Sequence, residues 1–389
     1  MNRLKKWHLT LTSLFHYPNI IKEIKRIDSN ILFIFPYLQT GGGERVHAEI
    51  MKTFSHLNPT CLITYYSSNE DMKDEFEKHA NVINLERWGW KKSFRQIMVK
   101  KVAKIMNNKP NAIVFGCGNH FFYDIIPLLN ENVKKIDLMH SYLGNIPNSF
   151  EQYSLPYAHL LDNRVVLGRK HFNQIAKFYK ENSIDCSVSD QVKVIHNKVS
   201  PPQEVIFKDF ISPLKVLFVA RNSSEKRPEL FIEITQECYK RSLPIEFIMI
   251  GDFECYQDEV RSNVTITGRI TNSNLLNSYY ATAHFVAITS ALEGFPMVIL
   301  EGLAYGAVPL STDVGIVSDY INEKTETGFI IENSQNTDLI KDQFIEKLEY
   351  AIQHPKQLSA MSIKGQMLIR EEFSEEKFES SYRSLLLSK

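Results

Sequence analysis

An α/β protein of two successive doubly wound domains is the architecture this sequence predicts, and three observations carry it. Ile31–Phe35 is apolar at every position, as a parallel strand buried on both faces should be, and further short, mostly apolar runs recur along the chain. More polar, helix-compatible stretches separate most of them, the alternation that lays helices over a mostly parallel sheet. The alternation breaks at 198–213, where Pro201, Pro202 and Pro213 interrupt both periodicities, and then restarts. At 389 residues the chain is long enough for two cores.

In chain order, strands are expected at 31–35, 60–65, 112–115, 135–139, 164–167 and 192–195, with a helix at 44–51. Beyond the break, strands are expected at 215–220, 246–250, 264–267, 285–289, 308–311 and 328–330. Helices between them are expected at 229–241, 275–283, 298–305 and 318–322. The resulting plan has an extension at 1–30, a first domain at 31–199, a linker at 200–213 and a second domain at 214–371. Two such domains imply a cleft, and in doubly wound sheets ligands bind at the carboxyl ends of the strands.

Composition narrows the functional classes. Lys plus Arg and Asp plus Glu both number 45, so overall charge argues against a dedicated nucleic-acid binder. The five cysteines are scattered without a C-x-x-C spacing, which suits reduced thiols in a cytosolic protein better than a disulfide framework or a zinc site. No apolar run approaches the roughly 20 residues of a membrane span. The first 26 residues mix Lys5, Lys6 and Trp7 with apolar positions such as Leu11 and Ile20. They read as a helix covering the first domain, with an interfacial membrane helix as the alternative.

Two stretches of the second domain concentrate polar chemistry. The first runs from Ser290 through Glu293, Gly294, Phe295 and Pro296 to Glu301 and Gly306. It reads as a strand end, a Gly-containing turn and a helix start, where backbone N–H groups make an anion site. Glu293 falls in the loop and Glu301 about one turn into the helix. Carboxylates there are poorly placed to bind phosphate and well suited to accept hydrogen bonds from sugar hydroxyls. An isolated Glu at a helix start is explained equally well by the helix dipole. The second stretch, Val219 to Pro228, follows the first strand of that domain and carries Arg221 and Lys226. Both can reach a diphosphate, although a basic loop by itself is commonly a solvated turn.

Taken in order, Arg221 and Lys226, then Gly251, Gly268-Arg269, Glu293-Gly294-Phe295 and Glu301 resemble the donor half of glycosyltransferase family 4. The E-x7-E signature of that family is matched by Glu293 and Glu301. In the first domain, Thr40-Gly41-Gly42-Gly43-Glu44 resembles the family's Gly-rich loop, and Val194 to Val199 its Asn-Gly-Val segment. Residues 373–387 resemble its C-terminal helix. Each motif is weak alone; their order and spacing cover nearly the whole chain from Ile31.

The resemblance implies the GT-B fold: two Rossmann-like doubly wound domains facing across a cleft, with a C-terminal helix at 372–389 crossing back to the first domain. It implies a retaining, metal-independent reaction with no cofactor, the nucleotide-sugar being a co-substrate. Arg221 and Lys226 would neutralise the departing diphosphate, Glu301 would bind the donor ribose and Glu293 the transferred sugar. Gly42 and Gly43 would let backbone N–H groups approach the donor, with Arg269, Gly294, Phe295 and Pro296 completing its site. His140, after the strand at 135–139, falls where many family members carry a cleft histidine, and His120 is a second candidate of that kind. The absence of any Asp-x-Asp pair agrees with a site that uses basic side chains in place of a metal. Three positions depart from the pattern: Ala220 and Lys198 stand where the family has Gly, and His284 where Asp is usual.

The expected activity is transfer of a hexose or N-acetylhexosamine from a nucleotide donor, expected to be UDP-linked, to a glycan or lipid-linked acceptor in surface polysaccharide synthesis. The alternatives are a nucleotide-sugar epimerase of the same architecture and a non-catalytic glycan- or nucleotide-binding module. On the acceptor side, 87–105 is basic, aromatic and helix-compatible, with Phe94, Ile97, Met98, Val102 and Ile105 on one face. It reads either as an amphipathic helix packing on the sheet or as a patch that docks on anionic lipid. The expected location is cytoplasmic, peripheral at the inner face of the cell membrane. No nucleic-acid partner is expected.

Overall fold

The computed structural model describes residues 17–387 except Asn145 and Glu323, and excludes the side chain of Cys186. Two compact units divide the chain. The first comprises residues up to Leu167, Phe172–Ile195 and Glu379–Lys389, and the second Gly168–His171 and His196–Phe378.

The first unit is built on β1 (Ile31–Phe35), β2 (Thr60–Ile63), β3 (Asn81–Asn84), β4 (Ile113–Cys117), β5 (Lys134–Met139), β6 (Asn163–Val166) and β7 (Val192–Val194). They form one sheet in the order β3-β2-β1-β4-β5-β6-β7, parallel throughout. β1, β2 and β4 are buried at every residue, because helices cover both faces. β3 is the strand that a search for mostly apolar runs misses. It lies at the sheet edge, its ends are Asn81 and Asn84, and only Ile83 is buried. Within the sheet, Arg164 on β6 lies opposite Asp137 on β5. The pair is buried, with Arg164 Nη2 2.6 Å from Asp137 Oδ2. Tyr179 accepts from Arg164 Nη1 at 2.7 Å and Tyr123 donates to Asp137 Oδ2 at 2.9 Å, so these charges are satisfied despite their burial.

The helix at 17–24 places Ile20 and Ile24 in the core of this unit, followed by Ile27. That part of the extension therefore covers the first unit, while residues 1–16 lie outside the described residues. The basic stretch resolves into helices Glu86–Gly89 and Lys92–Asn107. Phe94, Met98 and Val102 are buried in the core, and Arg95 pairs with Asp124 at 2.7 Å. Its apolar face is thus occupied by the sheet. Trp90, 55% exposed, and the exposed Lys91, Lys92, Lys100, Lys101 and Lys104 remain on the other side.

The second unit is built on β8 (Leu214–Val219), β9 (Ile245–Ile250), β10 (Val264–Ile266), β11 (Phe285–Ile288), β12 (Val308–Thr312) and β13 (Phe329–Ile331). Their order is β10-β9-β8-β11-β12-β13, again parallel throughout. Helices Pro228–Lys240, Ser273–Thr282 and Met297–Ala304 fall within one or two residues of the expected spans. Two longer helices, Thr337–Gln353 and Pro355–Glu372, complete the cover. Asn336 capping Asp338 N, and Pro355 at the first helical position, are the sequence signals that mark their starts.

Helix Glu375–Leu387 begins in the second unit, and from Glu379 onward belongs to the first. There Tyr382 is buried, with its ring centroid 6.2 Å from that of Phe115 on β4.

The three departures are accommodated locally. Neither Ala220 nor Lys198 has a positive φ, so a side chain is tolerated at both positions. His284 accepts the Lys215 N–H on Nδ1 at 2.8 Å and donates from Nε2 to the Asp209 carbonyl at 3.1 Å, tying the segment before β8 to β11.

Candidate active site

In the second unit the chain winds from β8 outward through β9 and β10, then returns to start β11 on the other side of β8. The loops leaving the carboxyl ends of β8 and β11 are therefore adjacent at the topological switch point, where this architecture places ligands. These are the two loops that the sequence singled out.

Side chains and backbone knit them together. Thr289 Oγ1 donates to the carbonyls of Lys226 and Arg227 at 2.8 and 3.1 Å, and Ala291 N to the Glu225 carbonyl at 2.8 Å. Lys226 Nζ forms an ion pair and hydrogen bond with Glu293 Oε1, which also accepts from Ser290 Oγ at 2.8 Å. The Lys226 and Glu293 side chains are only 17% and 14% exposed, so the pair is weakly screened. The β11 loop is braced from β12 as well: Ile316 N donates to the Gly294 carbonyl at 2.9 Å. Gly315 makes that approach, since it has φ +52° and a Cβ there would overlap the Gly294 carbonyl oxygen.

Glu301 lies on helix Met297–Ala304, held close to the sheet by Gly302, where a Cβ would come within 2.5 Å of Val286 on β11. Tyr280, buried on the preceding helix, donates its hydroxyl to Glu301 Oε2 at 2.5 Å. Periodicity alone marks Tyr280 as an ordinary core residue; its hydroxyl becomes significant only once Glu301 is placed beside it.

Other expected site residues are placed differently. Arg221 is 63% exposed and lies 3.6 Å from Glu225 Oε1. Arg269 is exposed on the loop after edge strand β10, two strands from β8. Phe295 and Pro296 are buried, and the Phe295 ring stacks on Tyr320 with centroids 5.4 Å apart. The Phe295 side chain therefore anchors the loop in the core.

In the first unit the switch point falls between β1 and β4. Gly41 precedes, and Gly42 and Gly43 open, the helix Gly42–Thr53. His140 directly follows β5, and its Nε2 lies 2.9 Å from His47 Nε2. Burial lowers the pKa of His140 to about 4 and pushes that of His47 well down, with further lowering by His140. His120 begins helix His120–Ile125 after β4. Tyr65 accepts the His120 backbone N–H at 2.9 Å, and its hydroxyl lies 2.5 Å from His120 Nδ1. His120 is thereby fixed within the first unit, separately from the His47–His140 pair.

One group among the described residues has metal-ligand chemistry: His47, Cys117 and His140, whose ligand atoms lie within 4.8 Å of one another. The two imidazoles already share a hydrogen bond, and burial holds the Cys117 thiol protonated. As built, the group is a histidine pair beside a thiol.

Comparison with known proteins agrees with the fold. A protein of Anabaena, HepE, solved in complex with UDP, superposes with a TM-score of 0.69 at 15% identity, covering 92% of this chain and all of that one. The same protein has been solved with UDP-glucose. The paired parallel α/β units are the GT-B architecture. Residues 204–366 match the family described as Glycosyl transferases group 1, so the chain carries a group 1 glycosyltransferase domain. An uncharacterized glycosyltransferase of Haemophilus influenzae is 20% identical over 364 residues, which cover 91% of this chain and 98% of that protein. Another, from Methanocaldococcus jannaschii, is 29% identical over 172 residues. That match takes in 39% of this chain and 44% of the archaeal protein, less than half of its length.

Proposed function

We propose that the chain is a retaining, metal-independent transferase that moves a hexose or N-acetylhexosamine from a UDP-linked donor to a glycan or lipid-linked acceptor in surface polysaccharide synthesis. The observation that carries this reading is the Lys226–Glu293 pair at the switch point of the second unit. A cation and a carboxylate held together there match the two ends of a sugar–diphosphate bond.

With donor bound, Lys226 moves to the diphosphate and Glu293 accepts hydrogen bonds from the hydroxyls of the transferred sugar. The bond from the anomeric carbon to the diphosphate oxygen breaks, and its electron pair leaves on the diphosphate, where Lys226 and Arg221 stabilise the added charge. The acceptor hydroxyl bonds to the same face of the oxocarbenium-like carbon and gives up its proton to the departing oxygen. Glu301, held by Tyr280, takes the ribose hydroxyls. Backbone N–H groups at Gly42 and Gly43 bind donor oxygens, and His140 contacts the sugar. The UDP complexes of the Anabaena protein support uracil as the donor base.

The deciding experiment is a panel of nucleotide-sugars read by nucleotide release, followed by acceptor trapping. One UDP-sugar releasing UDP, with sugar joined to the acceptor in the same anomeric configuration, is expected. Conversion of the sugar with the nucleotide still attached would show an epimerase, and no release from any donor a binding module.

The basic face with Trp90 is proposed to rest on anionic lipid at the inner face of the cell membrane, keeping the protein peripheral. No described helix is long and apolar enough to cross a membrane. Liposome flotation at low salt tests the docking: equal recovery with neutral and anionic vesicles would rule it out.

A further inference from the structure

His47 has no role in the reaction scheme, yet its imidazole is tightly held. It is 2% exposed, and its ring lies flat on Phe35, with centroids 4.0 Å apart and planes 2° from parallel. Its Nε2 meets His140 Nε2 at 2.9 Å. A hydrogen bond between two like nitrogens needs a proton on one and a bare lone pair on the other. Which nitrogen carries it is decided at the far side of the His47 ring, where Nδ1 is buried without a hydrogen-bond partner. A proton on Nδ1 would leave a buried N–H donor orphaned, whereas a proton on Nε2 leaves only an unused acceptor, the milder defect. Nε2–H of His47 therefore donates, and Nε2 of His140 accepts. His140 must then carry its own proton on Nδ1, for which no hydrogen-bond partner occurs among the described residues. The Gly-rich loop backs the same edge of the ring: a Cβ at Gly43 would lie 3.5 Å from His140 Cδ2 and Nε2.

We infer that His47 is a positioning residue that fixes His140 as the tautomer protonated on Nδ1, so that His140 meets substrate as an N–H donor to an oxygen of the sugar. The last clause rests on the proposed substrate-facing role of His140; the tautomer assignment does not. A donor at this point, and not a base, suits a reaction in which the acceptor proton leaves with the diphosphate oxygen.

Long-range proton–nitrogen correlation on the histidine-labelled full chain reads the tautomer directly, with resonances assigned through His140→Gln and His47→Gln. At neutral pH His140 is expected to show a protonated Nδ1 and a bare Nε2, and His47 the reverse. His47→Phe keeps a ring on Phe35 and removes the donor, so His140 should relax to the mixed tautomers of a free imidazole. His47→Gln, whose amide N–H reaches a similar point, should restore the Nδ1 form. A wild-type His140 protonated on Nε2 overturns the inference, and this spectrum decides even if His47→Phe does not fold. Resonances of His140 unchanged in His47→Phe overturn it too. Turnover of the UDP-sugar separates the two parts: kcat is expected to fall several-fold in His47→Phe with the donor KM unchanged. A tautomer shift with unchanged kcat would remove His140 from the substrate while leaving the tautomer assignment standing.

Discussion

The two sheets follow the same winding rule, yet the loops at their switch points carry opposite electrostatics. In the second unit the β8 and β11 loops hold a charged pair, Lys226 and Glu293, in partial burial. In the first unit the residues after β1, β4 and β5 include His47, His120 and His140, all with pKa values lowered by burial. A fixed positive charge in place before the bond breaks is well suited to stabilise a leaving diphosphate. A group that orients a neutral sugar hydroxyl needs only a fixed hydrogen-bonding direction. Under the proposed reaction, charge work falls to the second unit and orientation work to the first.

Removing the charge breaks this division most directly. Lys226→Ala is expected to lower kcat about 10³-fold, the upper range for losing one preorganised group at a developing anion. Steady-state kinetics on a folded variant checks it, and a loss confined to KM would move Lys226 to ground-state binding. Glu301→Ala should weaken donor binding about 10- to 100-fold, the scale of hydrogen bonds to a charged group. Calorimetry with the donor showing an unchanged Kd would refute the ribose assignment.

The neutral side of the comparison predicts a pH effect on stability. His140 has a folded pKa of about 4, below the ordinary histidine value of 6.5, and His47 is shifted the same way. Between those values the unfolded chain binds more protons, so stability is fully present above pH 6.5 and falls as pH drops towards 4. For His140 alone the loss amounts to about 3 kcal/mol at pH 4. Thermal unfolding across that window should be steeper in wild type than in the double variant His47→Phe/His140→Phe; equal slopes would contradict the shifts. The smallest effect belongs to Arg221, which is exposed and pairs loosely with Glu225. Arg221→Ala should cost about tenfold in kcat/KM and within about 0.5 kcal/mol of stability. A loss as large as that of Lys226→Ala would mean that the β8 loop rearranges when donor binds.

Much of this arrangement was legible before any coordinates. Mostly apolar runs located twelve strands because parallel strands covered on both faces favour apolar side chains, with paired exceptions such as Arg164 and Asp137. β3 escaped because an edge strand with asparagine at both ends lacks that signature. The loops after β8 and β11 were legible as strand-to-helix turns because their signals are local, while their donor-binding role is what the family resemblance implies. Phe295 shows what motif reading leaves open: the resemblance places it in the donor loop, and only the packing shows that its side chain lies on Tyr320.

The sequence by itself determined the two parallel α/β units, the loops that carry Arg221, Lys226, Glu293 and Glu301, and the placement of His140 after β5. Those features follow from periodicity and turn chemistry within a few residues. Tertiary structure alone decided the partners: Lys226 with Glu293 across 67 positions, His47 with His140 across 93, and Tyr280 with Glu301 across 21. A local pattern states whether a side chain is buried, but strand order brings distant loops together. Which polar atom then meets which depends on that packing.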